Sequence, residues 1–346
     1  MCYNITTMKK KRIASLLLLA PLALLGACTS TPSLGLEANW FSNVSTKIIP
    51  DGFNETLEYK VSFEQSSADK NGRFSMNYPN GGTYTVNMKG GSTEDGKKIY
   101  VYETALKMEV QYTLNGVSTP LMEDVVTTHV EFLGVANELQ PISSWREVHA
   151  TTPLTTASSP AATLNGCYKK WDYKNELTYD FEKKTATFTQ TDLSVKDEKE
   201  TPENQTNRQT TEKIKIGGKG LFFDNEQMIP LLRAAELSSS MVIRTIDVTT
   251  NTLEKMAVRN GPTSVTLKQS VKLKTDEEAK EREFNAYEIS LGYKKQNSGP
   301  TQKFTIASCV SRDSNTFRNV CLKFEQPTIY SHGTLTYTLI AADFYE

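Results

Sequence analysis

The residues with the clearest chemistry in this 346-residue sequence are its five cysteines, at positions 2, 28, 167, 309 and 321. Cys309 and Cys321 lie on two short apolar runs that could pair as an antiparallel hairpin. The register that places Cys309 opposite Cys321 also places Ile306 opposite Phe324, and it puts the two sulfurs on the other, solvent-facing side. We therefore predict a disulfide there, worth about 3 kcal/mol because it closes a short loop; the alternative is two reduced cysteines. Cys167 is left over as a buried or a reactive thiol.

The sequence lacks the common local motifs of catalytic and metal-binding sites. The three histidines, His129, His149 and His332, stand alone, without an H-x-x-x-H or H-x-H pair, and each is predicted to be a surface side chain. No G-x-S-x-G turn and no cysteine pair at zinc spacing is present. Residues 91–97 approach a phosphate-binding loop, but Lys98 stands where Ser or Thr is needed and a strand follows, so a hairpin turn is expected. No catalytic residue, metal ligand or cofactor is predicted, although an active site built from distant residues stays open.

The N-terminus carries a targeting signal. Four basic residues at 9–12 precede an apolar stretch at 14–25, which is too short to span a bilayer but suits a signal peptide. The stretch ends in Leu25-Gly26-Ala27-Cys28, which resembles the lipobox of bacterial lipoproteins. The resemblance implies cleavage before Cys28 and lipidation of its thiol, so that acyl chains hold the protein at a membrane. An ordinary secretory signal with a chance cysteine is the alternative.

Charge and composition narrow the choice of partners. The chain has a formal net charge of −1, with 38% hydrophobic and 23% charged residues. These values exclude a disordered chain, and they make nucleic acid an improbable partner because phosphates need a basic surface. Residues 1–27 hold four basic and no acidic side chains, so the chain from Cys28 onward has a net charge of −5. We therefore expect its lipid, rather than its overall charge, to attach it to a membrane.

Alternation of apolar and polar residues predicts strands along most of the sequence. Leu57, Tyr59 and Val61 alternate with polar residues, and similar runs recur to the last one at residues 335–339. One helix is predicted at residues 225–237, amphipathic through Ile229, Leu232, Ala235 and Leu237. Asp224 with Gln227 could cap it, or Pro230 could lie in its first turn. The expected fold is mostly β: a large curved antiparallel sheet, as a half-barrel or a sandwich, with one short helix packed on it.

The predicted organisation has three parts. Residues 1–27 form the signal peptide, residues 28–39 a tether, and residues 40–346 a β-rich domain. Residues 150–163 are rich in Thr, Ser, Pro and Ala and are a possible seam within that domain. Residues 196–212 are polar and aperiodic, and they are predicted to be a long hairpin loop.

Three short stretches, ELQPISSWREVHA, ELTYDFEKKTATF and LFFDNEQMIPLLRAAEL, resemble exported bacterial proteins that are related to the lipoprotein-localisation-factor fold. The resemblance spans residues 55–346 and rests on element order and these strings. It implies a curved antiparallel half-barrel covered by a helix, with a concave apolar face that could hold an acyl chain. It transfers no catalytic residue.

The sequence therefore predicts a lipid-anchored protein of the bacterial cell envelope that acts as a non-catalytic binding or scaffold module. Its partners would be the membrane, through the lipid anchor, and a lipid-like ligand or an envelope protein. Two alternatives stay open: a carrier of lipid-like ligands in a concave apolar face, and a hydrolase of envelope polymers.

Overall fold

The computed structural model describes residues 52–133, 139–196, 207–218, 221–234, 242–247, 252–293, 302–307, 317 and 319–345. Among them, strands make up most of the structure and two short α-helices are present. The first eight strands are β1 (Asn54–Gln65), β2 (Phe74–Asn77), β3 (Gly82–Ser92), β4 (Lys98–Leu114), β5 (Val117–Ser118), β6 (Met122–Leu133), β7 (Pro141–Pro153) and β8 (Tyr168–Asp180). The next eight are β9 (Thr185–Lys196), β10 (Asn207–Lys215), β11 (Val242–Asp247), β12 (Thr252–Leu273), β13 (Lys280–Tyr293), β14 (Gln302–Ala307), β15 (Cys321–Pro327) and β16 (Gly333–Asp343). The helices are α1 (Ser67–Asn71) and α2 (Met228–Ala234).

The strands form one sheet in the order β10-β9-β8-β7-β6-β4-β3-β1-β16-β15-β14-β13-β12-β11, with β2 and β5 paired to β4. All the neighbours along this order are antiparallel, as predicted. The first strand, β1, therefore lies between β3 and the last strand, β16. The mostly β fold with a large antiparallel sheet is confirmed.

The sheet is strongly curved. Tyr84 in β3 and Phe324 in β15 are three strand spacings apart, which is about 14 Å in a flat sheet. Their ring centroids are nevertheless only 5.7 Å apart. At one side the curvature closes completely, because Lys272 and Leu273 of β12 pair in parallel with Ala341 and Ala342 of β16. Strands β12 to β16 thus form a closed ring of five strands.

A buried amide bridges this closure. The Gln269 side chain on β12 donates hydrogen bonds to the backbone carbonyls of Leu322, at 3.2 Å, and Leu339, at 2.5 Å. A buried amide without partners would destabilise the fold, so these two bonds satisfy both donors while they join β12 to β15 and β16.

The apolar alternation follows the pleat of the strands. Leu57, Tyr59 and Val61 of β1 are all buried on the face that we call the inner face, against which α2 packs. The predicted hairpin of residues 176–190 is formed by β8 and β9, with Asp180 opposite Thr185. The region predicted as a long loop at 196–212 is shorter, because β10 begins at Asn207 and pairs with β9. Residues 150–153 of the suggested seam belong to β7.

The predicted helix begins where expected but is more deeply buried. Asp224 caps a 3₁₀ turn, Asn225–Gln227, in a capping box with Gln227, and this turn leads into α2. Ile229 and Leu232 pack in the main core, as predicted. Ala235 and Leu237 lie outside the described residues. All seven residues of α2 are buried, so the polar, solvent-exposed side that an amphipathic helix implies is absent.

The register predicted for the β14–β15 hairpin is wrong. Phe324 pairs with Phe304 rather than with Ile306, and Ile306 pairs with Cys321 after a bulge that follows Thr305. The prediction assumed a regular ladder on both sides of the cysteines. A bulge adds a residue to one strand and shifts every later pair.

Candidate ligand-binding site

The cysteines chosen from the sequence do not converge on one site. Cys28 and Cys309 lie outside the described residues, so lipidation and the disulfide stay predictions. Cys321 is buried in the main core rather than on a solvent-facing side, which corrects the prediction, and it forms no disulfide with a described residue. Its Sγ faces the Lys323 carbonyl at 3.5 Å, and burial raises the pKa of the thiol. Cys167 is buried and unpaired among the described residues, in a small cluster with Phe74 and Tyr112.

Two of the three histidines lie on the surface, as predicted. His129 is partly exposed on the outer face of β6, where its ring stacks on Trp145 with centroids 5.6 Å apart. His149 lies between Glu147, at 2.9 Å, and Asp172, at 2.8 Å, and the hydrogen bond to Glu147 raises its pKa.

The third histidine contradicts the prediction, because His332 is buried. Its Nδ1 contacts the Asp69 carboxylate, and its Nε2 lies 2.7 Å from the Thr155 carbonyl oxygen. Both ring nitrogens are therefore occupied, and the pair joins α1, the residues after β7 and the start of β16. The arrangement is structural, because both ring nitrogens bind groups of the fold itself.

Polar residues lie in one row across the inner face of the sheet. Five of them are direct neighbours on successive strands, from β4 to β9: Thr104, Thr128, Arg146, Asn175 and Gln190. The Thr104 and Thr128 hydroxyls are 2.7 Å apart, and Gln190 Nε2 donates to Asn175 Oδ1 at 3.0 Å. We call these five residues the polar row. Most other side chains of this face are apolar, so five adjacent polar residues favour a role other than core packing.

Beside the polar row, the next set of neighbours on the same face is apolar. It consists of Tyr84, Leu106, Val126, Val148 and Tyr173, which we call the apolar row. All but Val148 are only half-buried, so this part of the inner face is accessible to water. Burial raises the pKa of Tyr84 to about 12, so its hydroxyl remains a hydrogen-bond donor at neutral pH.

Asp224 fixes the start of the helical segment against the two rows. Its carboxylate accepts hydrogen bonds from the Ser144 hydroxyl, from the Tyr179 hydroxyl at 2.5 Å and from the Glu226 backbone amide at 2.8 Å. Burial raises the pKa of Asp224, and the hydroxyl donors oppose that effect. This carboxylate is occupied as a helix cap and as a link to β7 and β8.

The side chain best placed to receive a ligand is Arg146. Its Nη1 donates to Glu226 Oε1 at 2.9 Å, and the Glu226 charge raises the pKa of the guanidinium. Its Nε, also sheltered from water, has no hydrogen-bond partner among the described residues. The Arg146 side chain is still 34% exposed, which places it in a cleft rather than in the core. The cleft is small and is also lined by Ser144, Trp145, Asn175, Leu177, Asp224 and Glu226.

This arrangement can bind an anionic or hydrogen-bond-accepting group beside an apolar portion. A guanidinium presents five donors in a planar fork, of which Glu226 occupies one side. The sequence did not single out Arg146, because its site depends on contacts between residues 80 positions apart. The one local signal was the Asp224–Gln227 capping pattern, which places Glu226 in the first turn.

Over the part of the chain that the structure describes, no group of three or more His, Cys, Asp or Glu side chains could hold a metal ion. No helix within that same part is long and apolar enough to cross a membrane.

Comparisons with known proteins find a similar solved structure but no matching family. No family model matches the chain, and no curated protein matches it. Among solved structures, the chain is similar to a β-barrel-like protein of a domain of unknown function, DUF1849, from Brucella abortus. The match has 9% sequence identity and a TM-score of 0.40, and it covers 85% of this chain and 98% of that chain. A likeness at this level carries no information about function.

Proposed function

We propose that the chain is a lipid-anchored, non-catalytic binding module of the bacterial cell envelope, and that its ligand contacts Arg146. The observation that carries the proposal is a sheltered guanidinium in a water-accessible cleft, whose Nε has no hydrogen-bond partner in the part of the chain that the structure describes. A buried donor without a partner is costly in a folded protein, so such a group is expected where a ligand supplies the acceptor.

A binding role fits the site better than hydrolysis of envelope polymers. A glycoside hydrolase needs one carboxyl group as an acid and a second as a base or nucleophile. The two carboxylates at this cleft have other partners: Asp224 caps the helical segment, and Glu226 pairs with Arg146. These occupied roles support the proposal of a non-catalytic module.

The binding proposal is tested by native mass spectrometry of the purified full chain, which detects retained ligand. Arg146→Gln should abolish retention, because glutamine lacks both the charge and the planar fork. Arg208→Gln is the matched control, since Arg208 forms an exposed pair with Asp192 at 2.8 Å and should leave retention unchanged. Equal retention by both variants would refute a role for Arg146.

The membrane anchor is tested separately through Cys28. Cys28→Ala removes the only thiol at the lipobox junction, so the protein should leave the membrane fraction or remain uncleaved. Normal processing and retention at the membrane in this variant would contradict the lipoprotein assignment.

A second candidate function is a carrier of lipid-like ligands. The half-buried apolar row beside Arg146 favours it, since an acyl chain could cover this row while a head group meets the guanidinium. A fluorescent fatty acid should then bind the full chain and be displaced by lipid extract, and Val126→Glu should abolish that binding. If the fatty acid does not bind while another ligand is retained, the carrier function is excluded and the binding module remains.

A further inference from the structure

One end of the sheet carries a compact set of connections that the proposed binding site does not involve. Here β1, β4, β7 and β15 end, and β6, β8 and β16 begin. We define the end cap as the four segments that meet there: residues 66–77, 113–122, 154–171 and 326–334.

Direct contacts join these segments into one surface. Arg73 Nε donates to Asn115 Oδ1 at 3.1 Å, which connects the first segment to the second. Gly72 lies so close to Ala157 that an added Cβ would be 2.8 Å from the alanine Cβ, which connects the first to the third. The contact between His332 Nε2 and the Thr155 oxygen, at 2.7 Å, connects the third to the fourth.

Exposed apolar side chains concentrate on the end cap. Among the described residues, eight large hydrophobic side chains are exposed, and only Val195 and Ile340 lie elsewhere. The six on the end cap are 36% to 65% exposed: Val117, Leu121, Leu154, Trp171, Ile329 and Tyr330. Scattered single exposed residues need no explanation, but a group gathered on one surface indicates a contact with a partner.

The charges of the end cap have one sign. Its exposed charged side chains are all basic, namely Lys70, Arg73, Lys169 and Lys170. Its single carboxylate, Asp69, is buried against His332. This differs from the chain as a whole, which has a formal net charge of −1. Within the four segments the exposed charges are therefore basic, and exposed carboxylates lie just outside them, at Glu64 opposite Thr334 and at Glu123 after Met122.

Two aromatic side chains are fixed in exposed positions. Tyr330 has a positive φ of 57°, which is unfavourable for a residue with a side chain, and the residue is 51% exposed. Trp171 donates from its indole Nε1 to Thr152 Oγ1 at 2.7 Å, and the Lys169 ammonium lies 3.5 Å from the ring centroid. Tyrosine, tryptophan and lysine in this combination are typical of the interface between a bilayer and water.

We infer that the end cap is a membrane-contact surface that binds a bilayer containing anionic lipids. The apolar side chains enter the interface between head groups and acyl chains, and the four cations contact the lipid phosphates. The four cations and the exposed Trp171 and Tyr330 favour this partner.

This contact is separate from the anchor at Cys28. Asn54, where β1 begins, lies at the opposite end of the twelve-residue strand, about 40 Å from the end cap. The chain between Cys28 and β1 can extend about 90 Å at most, so the lipid and the end cap could reach the same bilayer. The anchor would then set where the protein is held, and the end cap would set its orientation.

The test measures contact between Trp171 and lipid in the full, lipidated chain reconstituted into vesicles. Trp40→Phe and Trp145→Phe leave Trp171 as the remaining tryptophan, and lipids with brominated acyl chains quench a tryptophan that enters the interface. Vesicles of phosphatidylcholine are compared with vesicles that also contain phosphatidylglycerol. We expect quenching in the anionic vesicles, and we expect it to weaken as salt is added.

A quadruple charge variant tests the cations. The change is Lys70→Ser, Arg73→Ser, Lys169→Ser and Lys170→Ser, and its matched control is Lys60→Ser, Lys107→Ser, Lys213→Ser and Lys268→Ser. Both sets are exposed, and they change the net charge equally. Because the lipid already holds the chain on the vesicles, the readout is again Trp171 quenching. In anionic vesicles the ratio of membrane-contacting to free end cap should fall about fivefold for each cation that contacts a head group, and the control should be quenched like the wild type.

Two results would overturn the inference. The first is a Trp171 that stays unquenched while the chain is held on anionic vesicles, which would leave a protein partner for this surface. The second is Trp171 quenching that is as strong in the end-cap variant as in its control. Unchanged urea midpoints in both variants would show that neither result comes from unfolding.

Discussion

Two arginine–glutamate pairs fasten the same short helical segment to the sheet, yet they lie in different surroundings. Arg233, near the end of α2, pairs with Glu55 on β1, and the two side chains are 5% and 4% exposed. Glu226, at the start of the segment, pairs with Arg146 on β7, and the arginine is 34% exposed. The first pair lies in the main core, where strands face one another across the curved sheet. The second lies on β6–β10, where the inner face is open to water.

The difference shows how surroundings decide the role of one interaction. Burial lowers the pKa of Arg233 to about 9, because removal from water destabilises the protonated guanidinium even beside Glu55. At Arg146 the charge of Glu226 outweighs burial and raises the pKa. We therefore assign the buried pair to structure and the open pair to binding.

The largest effect is expected from breaking the buried pair. Arg233→Met should lower the free energy of unfolding by about 3–5 kcal/mol, because it leaves the Glu55 carboxylate buried without its partner. The double variant Glu55→Met with Arg233→Met should recover most of this loss, since two apolar side chains carry no uncompensated charge. Urea denaturation followed by tryptophan fluorescence measures both. A single variant as stable as the wild type would show that the pair contributes little.

Next in size is the packing of α2 itself. Leu232 is 1% exposed in the main core, so Leu232→Ala should destabilise the fold by about 2–5 kcal/mol. Leu121→Ala makes the same chemical change at a side chain that is 45% exposed, and it should cost less than about 0.5 kcal/mol. Similar midpoints for the two variants would contradict the buried position of α2.

A pH effect follows from Asp124, which is buried on β6. It accepts hydrogen bonds from the Thr151 amide at 2.7 Å and hydroxyl at 3.0 Å, but burial is the larger effect and raises its pKa from 3.8 to about 6. The folded chain thus binds this proton more tightly than the unfolded chain does. The resulting stability is present below pH 4 and is lost as the pH rises from about 4 to about 6.

Asp124→Asn should therefore stabilise the fold above pH 6 by up to about 3 kcal/mol relative to the wild type, with no gain below pH 4. The asparagine carbonyl can still accept both bonds from Thr151. Asp95→Asn, at an exposed carboxylate whose pKa is lowered by its hydrogen bond to Lys97, is the control and should show no such gain. Thermal unfolding at several pH values gives the comparison, and a gain that does not depend on pH would refute it.

The smallest change in stability is expected at the open pair. Arg146→Gln should alter the free energy of unfolding by less than about 1 kcal/mol, because partly exposed ion pairs contribute little. The same variant should abolish ligand retention. If it instead destabilises the fold as much as Arg233→Met does, the distinction between the two pairs is wrong.

The sequence predicted two kinds of element well: strands, from the alternation of apolar and polar residues, and the start of the helical segment, from its capping residues. The period of two in residues 57–61 identified β1 and its buried side, and the Asp224–Gln227 spacing identified the start of the helical segment. Both depend on interactions within a few residues. Curvature, in contrast, depends on how many strands join one sheet, and the burial of α2 on all sides follows from that curvature.

The errors occurred where distant segments meet. His332 looked like a turn residue on the surface, yet Asp69, 263 positions away, and Thr155 enclose it. Cys321 was placed on the wet side of a regular hairpin, whereas a bulge and the nearby α2 put it in the core. Arg146 was overlooked because the alternation within its strand does not indicate which distant residue will pack against it; its partner, Glu226, is 80 positions away.

The pairing of β1 with β16 has a consequence for how the chain folds. Among the described strands β1 neighbours β16, with Glu58 opposite Ala341, so the sheet cannot be completed until β16 is present. Contacts between the two ends of a chain form slowly, because a long loop must first be closed. For a chain that crosses a membrane N-terminus first, as proposed, this delay keeps β1 without its last partner during passage. Removal of β16 would then leave β1 and β15 as open sheet edges that invite aggregation.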